Sequence, residues 1–363
     1  MPTLAELLTR HGPDYLARHG GRLPPAQRRA LIAMLRCRTP AMGGHRCACS
    51  DCGGEVFRFH SCNHRLCPRC GGADTHAWLE HQLSRLLPVP YFLVTFTVPE
   101  ALRLLARDQP EGFLDALFDE SAATLQEIAA HPRHLGAELG FFGVYHSWNR
   151  TLGMHPHLHY IIPGGGLRPD HRAWRRTRRP HFLLPVEVLS TRFCSRMQER
   201  LRATHPEVHA AIASSVWRNP WVVHCQPAGS GESALKYLAR YVFRTAFGGD
   251  REVLDPDDGS GRVSFQYIDS DTQQPRICTL ARNTFIGRFL QHALPAGLHR
   301  IRYFGWMHPS ARRRRLIVET LVQSLLTVRP RLPLPASTPW QRCCPHCGAF
   351  TLVITSTLPR APP

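Results

Sequence analysis

The sequence predicts an α+β fold: an antiparallel sheet with packed helices, preceded by a helical and zinc-ribbon module. Three observations lead there. Residues 92–98, 141–148 and 158–162 are short β-rich runs, the first bounded by Pro90 and Pro99. Residues 100–130 and 185–204 repeat apolar side chains at helical spacing. Cys49-x-x-Cys52 and Cys67-x-x-Cys70, separated by 14 residues, have the spacing of paired zinc knuckles. Strand, helix and hairpin-like strand pair fit a mixed sheet with helices on one face.

Taken in order, residues 1–40 read as short helices. Pro24-Pro25 opens one whose apolar positions Leu31, Ile32, Met34 and Leu35 follow helical spacing. Residues 47–70 are dense in metal-binding side chains. The spacing predicts a structural zinc cage from Cys49, Cys52, Cys67 and Cys70, with Cys47, His60, Cys62 and His64 as spare ligands that could swap in or build a second site. A closed thiolate cage is structural, which gives this module a DNA-binding role and not a catalytic one.

The stretch His155-Pro156-His157-Leu158-His159-Tyr160-Ile161-Ile162 alternates along a strand, so His155, His157 and His159 share one face. Neutral imidazoles bind divalent cations, and spaced along a strand they form a ligand edge. His146 on the preceding strand is an alternative third ligand to His155. Strand histidines facing solvent are the competing reading.

Residues 168–179 form a basic loop, with Arg172, Arg175 and Arg176 around Trp174. Guanidinium groups beside an indole suit single-stranded nucleic acid, although a solvated charge run fits too. Tyr237 and Tyr241 stand i and i+4 on one helix face, accompanied by Lys236, Arg240 and Arg244. Their spacing also fits an amphipathic core helix with packed aromatics.

Beyond Gly248 come a turn-rich segment, strands at 263–268 and 276–280, and helices at 283–293 and from Arg312 to about 328. A proline-rich linker at 330–339 leads to a single knuckle, Cys344-Pro345-His346-Cys347, which is half of a shared zinc site or inert. The expected divisions are 1–85, a helical and zinc-binding module; 86–250, the catalytic domain with the tyrosine helix; 251–329, a mixed extension; and 330–363, linker and knuckle.

Lysine and arginine total 45 against 27 acidic residues, a net charge of +18 with pI near 10.0. That excess attracts polyanions through a salt-sensitive, sequence-independent force. Residues 1–10 lack a signal-peptide layout, and no apolar run reaches the ~18 residues of a membrane span. A cytoplasmic location without membrane partners is expected. There, 13 cysteines point to metal sites or reduced thiols over disulfides.

His157-Leu158-His159 fits the histidine–hydrophobic–histidine (HUH) signature, and Tyr237/Tyr241 the paired tyrosines, of rolling-circle transposases. The chain more closely resembles the transposases of insertion-sequence family 91, nearly throughout. The blocks that carry this are Leu23-Pro24-Pro25, Cys37-Arg38-Thr39-Pro40, Gly43-Gly44-His45, His60-Ser61-Cys62 and Cys67-Pro68-Arg69-Cys70. They continue through Val89-Pro90-Tyr91-Phe92, Thr97-Val98-Pro99-Glu100, the histidine strand, Trp221-Val222-Val223 and Tyr237-Leu238-Ala239-Arg240-Tyr241.

The resemblance implies an HUH-nuclease-like sheet and a catalytic Mg²⁺ or Mn²⁺ on His157, His159 and His155. It implies Tyr237 or Tyr241 as nucleophile, structural Zn²⁺, and single-stranded DNA at the element ends as partner. One departure lies at Phe243, where relatives commonly have histidine, and at residues 246–249, where they have a small polar run. Rival readings are an HUH replication initiator or relaxase, a non-enzymatic zinc-dependent DNA-binding protein, and a zinc hydrolase without a covalent intermediate.

Overall fold

The computed structural model describes residues 3–70, 72–242, 247, 253–255, 259–269, 271–326 and 343–362, with side chains at all of these except 72, 73, 240–242 and 326. Arg244 and the 330–339 linker lie outside the described residues. The chain divides into two compact units, neither continuous in sequence. One comprises Met1–Thr75, Phe243–Ala293 and Pro333–Pro363; the other, His76–Val242 and Leu294–Leu332. The segment expected as one extension at 251–329 is therefore divided between them, and the tail knuckle belongs with the N-terminal module. Among the described residues no helix is long and apolar enough to cross a membrane.

The second unit is built on a five-stranded antiparallel sheet, as the α+β reading expects. Its strands are β1 (Tyr91–Thr97), β2 (Gly140–Trp148), β3 (Met154–Pro163), β4 (Val223–Pro227) and β5 (Ile301–Gly305), in the order β5-β2-β3-β1-β4. Strands β2 and β3 form a hairpin whose turn is organised by Asn149. Its side-chain oxygen accepts from the backbone N–H groups of Thr151 (3.0 Å) and Gly153 (2.7 Å).

Register decides which face each side chain takes, because facing pairs in an antiparallel sheet project the same way. Phe96 pairs with Leu158, Val94 with Tyr160 and Phe92 with Ile162, so these side chains share one face. All are fully buried beneath two helices, α1 (Pro110–Ala130) and α2 (Val186–Thr204). Helix α2 buries Leu189, Phe193, Met197 and Leu201, a stripe at helical spacing. Arg196 reaches from it to Glu120 (3.1 Å) and Glu127 (3.0 Å) of α1. The Tyr160 hydroxyl lies 2.6 Å from Ser121 Oγ, and burial pushes this phenol well above its ordinary pKa.

Gly143 pairs with Tyr160, and a Cβ there would sit 2.4 Å from that ring. Gly143→Ala should therefore destabilise this unit by about 1–3 kcal/mol, the cost of overpacking a filled core, as measured by denaturant unfolding.

The other face of the sheet carries His146, His157, His159 and Thr95. Helices were expected on one face only. A further helix, α3 (Glu232–Val242), instead packs against this second face and touches β2. Its inward side is Leu235, Leu238 and Ala239, all buried.

In the first unit, the helix Leu4–His19 begins at a capping box formed by Thr3 and Glu6. Phe247 and Phe265 pack on Phe285, which lies in the helix Arg282–Leu290. Phe247 is the described member of the divergent 246–249 run, and it is a buried core residue. The zinc module is a hairpin, Gly44–Cys49 with Glu55–Phe59, extended on its other edge by Leu352–Leu358. Gly43-Gly44 permits this crowding. At Gly44 a Cβ would lie 2.2 Å from the Arg58 carbonyl, and at Gly43, with φ 66°, 2.7 Å from that of Leu358.

Candidate active site and metal centres

Three imidazoles converge on the face of the main sheet that helix α3 packs against. Ligand atoms of His146, His157 and His159 all lie within 4.8 Å of one another. The hairpin explains this, since His146 faces His157 directly across β2 and β3, with His159 two residues along. Two of the rings are oriented from behind. His157 Nδ1 donates to the His155 carbonyl (2.7 Å), and His159 Nδ1 lies 2.9 Å from Thr95 Oγ1. His157 therefore has its Nε2 lone pair available, and a His159 Nδ1 that donates to the Thr95 hydroxyl leaves its Nε2 free in the same way, the arrangement by which outer groups set metal-ligand tautomers.

Burial pushes the pKa of His157 down to about 4 and that of His159 to about 3; repulsion from His157 adds to the latter. Burial also holds His146 well below its ordinary value. All three are neutral at pH 7, so each can offer a lone pair. The donor set fits a divalent transition ion.

Of the two candidates for a third ligand, the close group of three contains His146 and not His155. Pairing with β1 ends at Thr97, opposite His157, and the register with β2 shifts between His146 and Trp148. His155 thus has no facing partner on either strand and falls outside the close group of three, although its ring lies 5.1 Å from that of His157. The His155 Nδ1 lies 3.4 Å from the Arg103 guanidinium, which is also paired with Glu100 at 2.7 Å. Sequence reasoning had no view of Thr95 or Arg103, because strand register brings the first to His159 and the helix Arg103–Asp108 after β1 brings the second to His155.

Helix α3 presents Tyr237 to this cluster. Its ring meets that of His159 edge to face, with centroids 6.3 Å apart, and 43% of the residue remains exposed. Tyr145 and Tyr160, in contrast, are buried on the opposite face. Position 241 lies one helical turn beyond 237, with its side chain and that of Arg240 outside the described residues. Lys236 pairs with Glu232 at 2.7 Å, so its charge is already engaged within the helix.

Of the basic loop, Arg172, Arg175 and Arg176 are exposed. Trp174 is not available to stack on a base. It is buried beside Leu167 and Trp306, because the loop folds into a small hairpin of Gly165–Leu167 and Trp174–Arg176.

The cysteines form two clusters, and the four expected in one cage are divided between them. Cys67 and Cys70 join Cys37 and Cys62; Cys49 and Cys52 join Cys344 and Cys347. The reason is the hairpin between them. Cys49 and Cys52 sit at its turn, while Cys62, Cys67 and Cys70 follow its open end. Five residues of strand separate the two by about 16 Å, far more than a metal with ~2.3 Å Zn–S bonds can span.

In the first cluster Cys37 and Cys70 sulfurs are 3.5 Å apart and those of Cys62 and Cys70 3.7 Å apart. A ZnS₄ tetrahedron with bonds of ~2.3 Å has edges of about 3.8 Å, so this thiolate set fits zinc. Cys37 was missed because it has no CxxC partner. Its signal is a cysteine at the end of the helix Pro25–Arg36, fully buried.

A family model described as "Putative transposase" matches residues 140–315, and one described as "Transposase zinc-binding domain" matches residues 7–98. The latter range contains all of the first cysteine cluster. "Putative transposase y4qJ" of Sinorhizobium fredii (strain NBRC 101917 / NGR234) is 39% identical over 333 residues, 87% of this chain and 82% of that protein. "Transposase for insertion sequence element IS801" of Pseudomonas savastanoi pv. phaseolicola is 28% identical over 311 residues, 81% of this chain and 73% of that protein. No solved structure matches the chain. Histidine cluster, tyrosine helix and zinc cage thus lie in a chain that belongs to the insertion-sequence 91 family of transposases and carries that family's N-terminal zinc-binding domain.

Proposed function

We infer that this transposase cuts and rejoins single DNA strands through a 5′-phosphotyrosine formed on Tyr237 or Tyr241, as in rolling-circle transposition. The observation that carries the reading is the meeting of three neutral imidazoles with the exposed Tyr237 ring on one sheet face. His146, His157 and His159 would hold a divalent ion, which would supply charge stabilisation to the phosphate and to the departing 3′ oxygen. Three nitrogen donors favour Mn²⁺ over Mg²⁺, which prefers oxygen ligands.

The phenol oxygen bonds to phosphorus as the P–O3′ bond breaks. The phenol proton passes to solvent, and the 3′ oxygen takes one up. The products are a tyrosyl 5′-phosphodiester and a free 3′ hydroxyl. Attack by another 3′ hydroxyl on that linkage regenerates the phenol and joins the strands without ATP, because the covalent bond conserves the energy of the first. Two tyrosines allow one to hold an end while its neighbour cuts again.

Arg103, beside His155, adds a positive group for the backbone phosphates. Arg172, Arg175 and Arg176 extend that charge over the catalytic unit, with Arg240 and Arg244 on either side of Tyr241 in the sequence. Within this scheme the zinc module binds the element ends and the histidine unit performs the chemistry.

The test is incubation with labelled single-stranded DNA from an element end and Mn²⁺, followed by denaturation. A DNA adduct on the polypeptide is expected. It should vanish with chelator, in His157→Ala, and when Tyr237→Phe and Tyr241→Phe are combined. Cleaved ends without an adduct would support the hydrolase, and absence of cleavage the purely DNA-binding protein.

A further inference from the structure

Outside the histidine site, the strongest unassigned feature is the second cysteine cluster. The zinc-binding family model ends at residue 98, so it accounts for Cys49 and Cys52 but not for the partners they meet. Cys52 Sγ lies 3.7 Å from Cys344 Sγ, across 292 residues of sequence, and Cys49 Sγ lies 3.7 Å from Cys347 Sγ. These separations match the ~3.8 Å edge of a zinc tetrathiolate and far exceed the ~2.05 Å of a disulfide.

The two halves are also built alike. In the first, Gly53 N–H donates to the Cys49 carbonyl (2.9 Å), and Cys49 N–H to that of Gly54 (3.0 Å). In the second, Gly348 N–H donates to the Cys344 carbonyl (2.8 Å), and Cys344 N–H to that of Ala349 (2.7 Å). Gly53 and Gly348 both have positive φ, at 70° and 78°, so each Cys-x-x-Cys-Gly turns the same way. Two equivalent knuckles facing each other complete one four-sulfur site.

The surroundings hold them in place. Leu352–Leu358 pairs along Gly44–Cys49, with Cys49 opposite Leu352. The Arg58 guanidinium donates to the Cys343 carbonyl (3.1 Å), and that of Arg36 to the carbonyls of Ala361 and Pro362. Gly54 lies so close to the His346 ring that a Cβ would be 2.6 Å from it.

We propose that Cys49, Cys52, Cys344 and Cys347 bind a second zinc ion, and that this ion makes the C-terminal segment an integral part of the N-terminal zinc module. Its effect is that of a clip across a very long loop, which constrains the unfolded chain more than a local knuckle does. The zinc-binding domain of this chain is then not a contiguous stretch. Half of one of its two cages is supplied only after the whole catalytic unit has been made.

The experiment uses the full chain with cobalt in place of zinc, reading the sulfur-to-cobalt charge-transfer band, which reports thiolate ligands and is blind to the histidine cluster. Combining Cys344→Ser with Cys347→Ser should lower the band by about half, because one of two tetrathiolate sites is lost. Cys344→His with Cys347→His, which keeps a four-ligand site, should retain two metal ions in the zinc module while losing part of the band. Limited proteolysis should release the segment after 343 from the double-serine protein but not from the double-histidine one. An unchanged band in the double-serine protein, or a wild-type band equal to a single tetrathiolate, would overturn the proposal.

Discussion

His146→Ala should lower nicking of single-stranded DNA by about a thousandfold or more, whereas His155→Ala should change it by less than about tenfold. The first figure follows from the several kcal/mol that a Lewis-acid ion contributes to phosphoryl chemistry, at one decade per ~1.4 kcal/mol. Loss of one of three nitrogen donors should also weaken the divalent ion by more than about a hundredfold, since outer-sphere partners alone are worth ~10–100-fold. His155 differs because its part in the site is its backbone carbonyl, which accepts from His157 and survives substitution. Mn²⁺ titration by electron paramagnetic resonance and a nicking assay check both. Equal losses in the two variants would mean that the ligand set is misassigned. Because His146 is 3% exposed, the unfolding midpoint of each variant serves as control.

Cys67→Ser should be the most damaging single change in the zinc module. Cys67 lies buried in the first cage, and zinc in small thiolate modules contributes ~10–16 kcal/mol of apparent binding free energy that is also folding free energy. Three remaining thiolates cannot close the tetrahedron. The protein should lose one zinc per chain by elemental analysis and, with it, salt-resistant binding to element-end DNA. The same substitution at Cys47 should do neither, because Cys47 lies in the hairpin strand opposite Val56 and Ile354 and outside both clusters. A Cys67→Ser protein that kept its full zinc content would refute the cage assignment.

Much of this was legible from residue order because the relevant periods are local. The two-residue alternation of the histidine strand set its faces, and the i, i+4 spacing put Tyr237 on a definable side of its helix. Failures came where partners are distant in sequence. The CxxC spacing marked four cysteines that fall in sulfur clusters, yet grouping them required knowing that a five-residue strand keeps the knuckles apart. The choice between His146 and His155 turned on hairpin register, which depends on the Asn149 turn. Strand β5 at Ile301–Gly305 is short and half-buried, so its five residues offered little pattern, and its partner β2 lies some 150 residues earlier. Trp174 misled for another reason: an indole among arginines looks like a stacking platform until its core neighbours, Trp306 and Val318, arrive from much later in the chain.

The pairing of Leu352–Leu358 with Gly44–Cys49 bears on how damaged copies of such a gene behave. A reading frame interrupted shortly after the tyrosine codons still encodes the histidine cluster and both tyrosines, but its product lacks an edge strand of the zinc-binding module, to which the proposed function gives the element ends. Such a fragment should be a poor competitor for element ends, so decayed copies would leave an intact neighbour free to move.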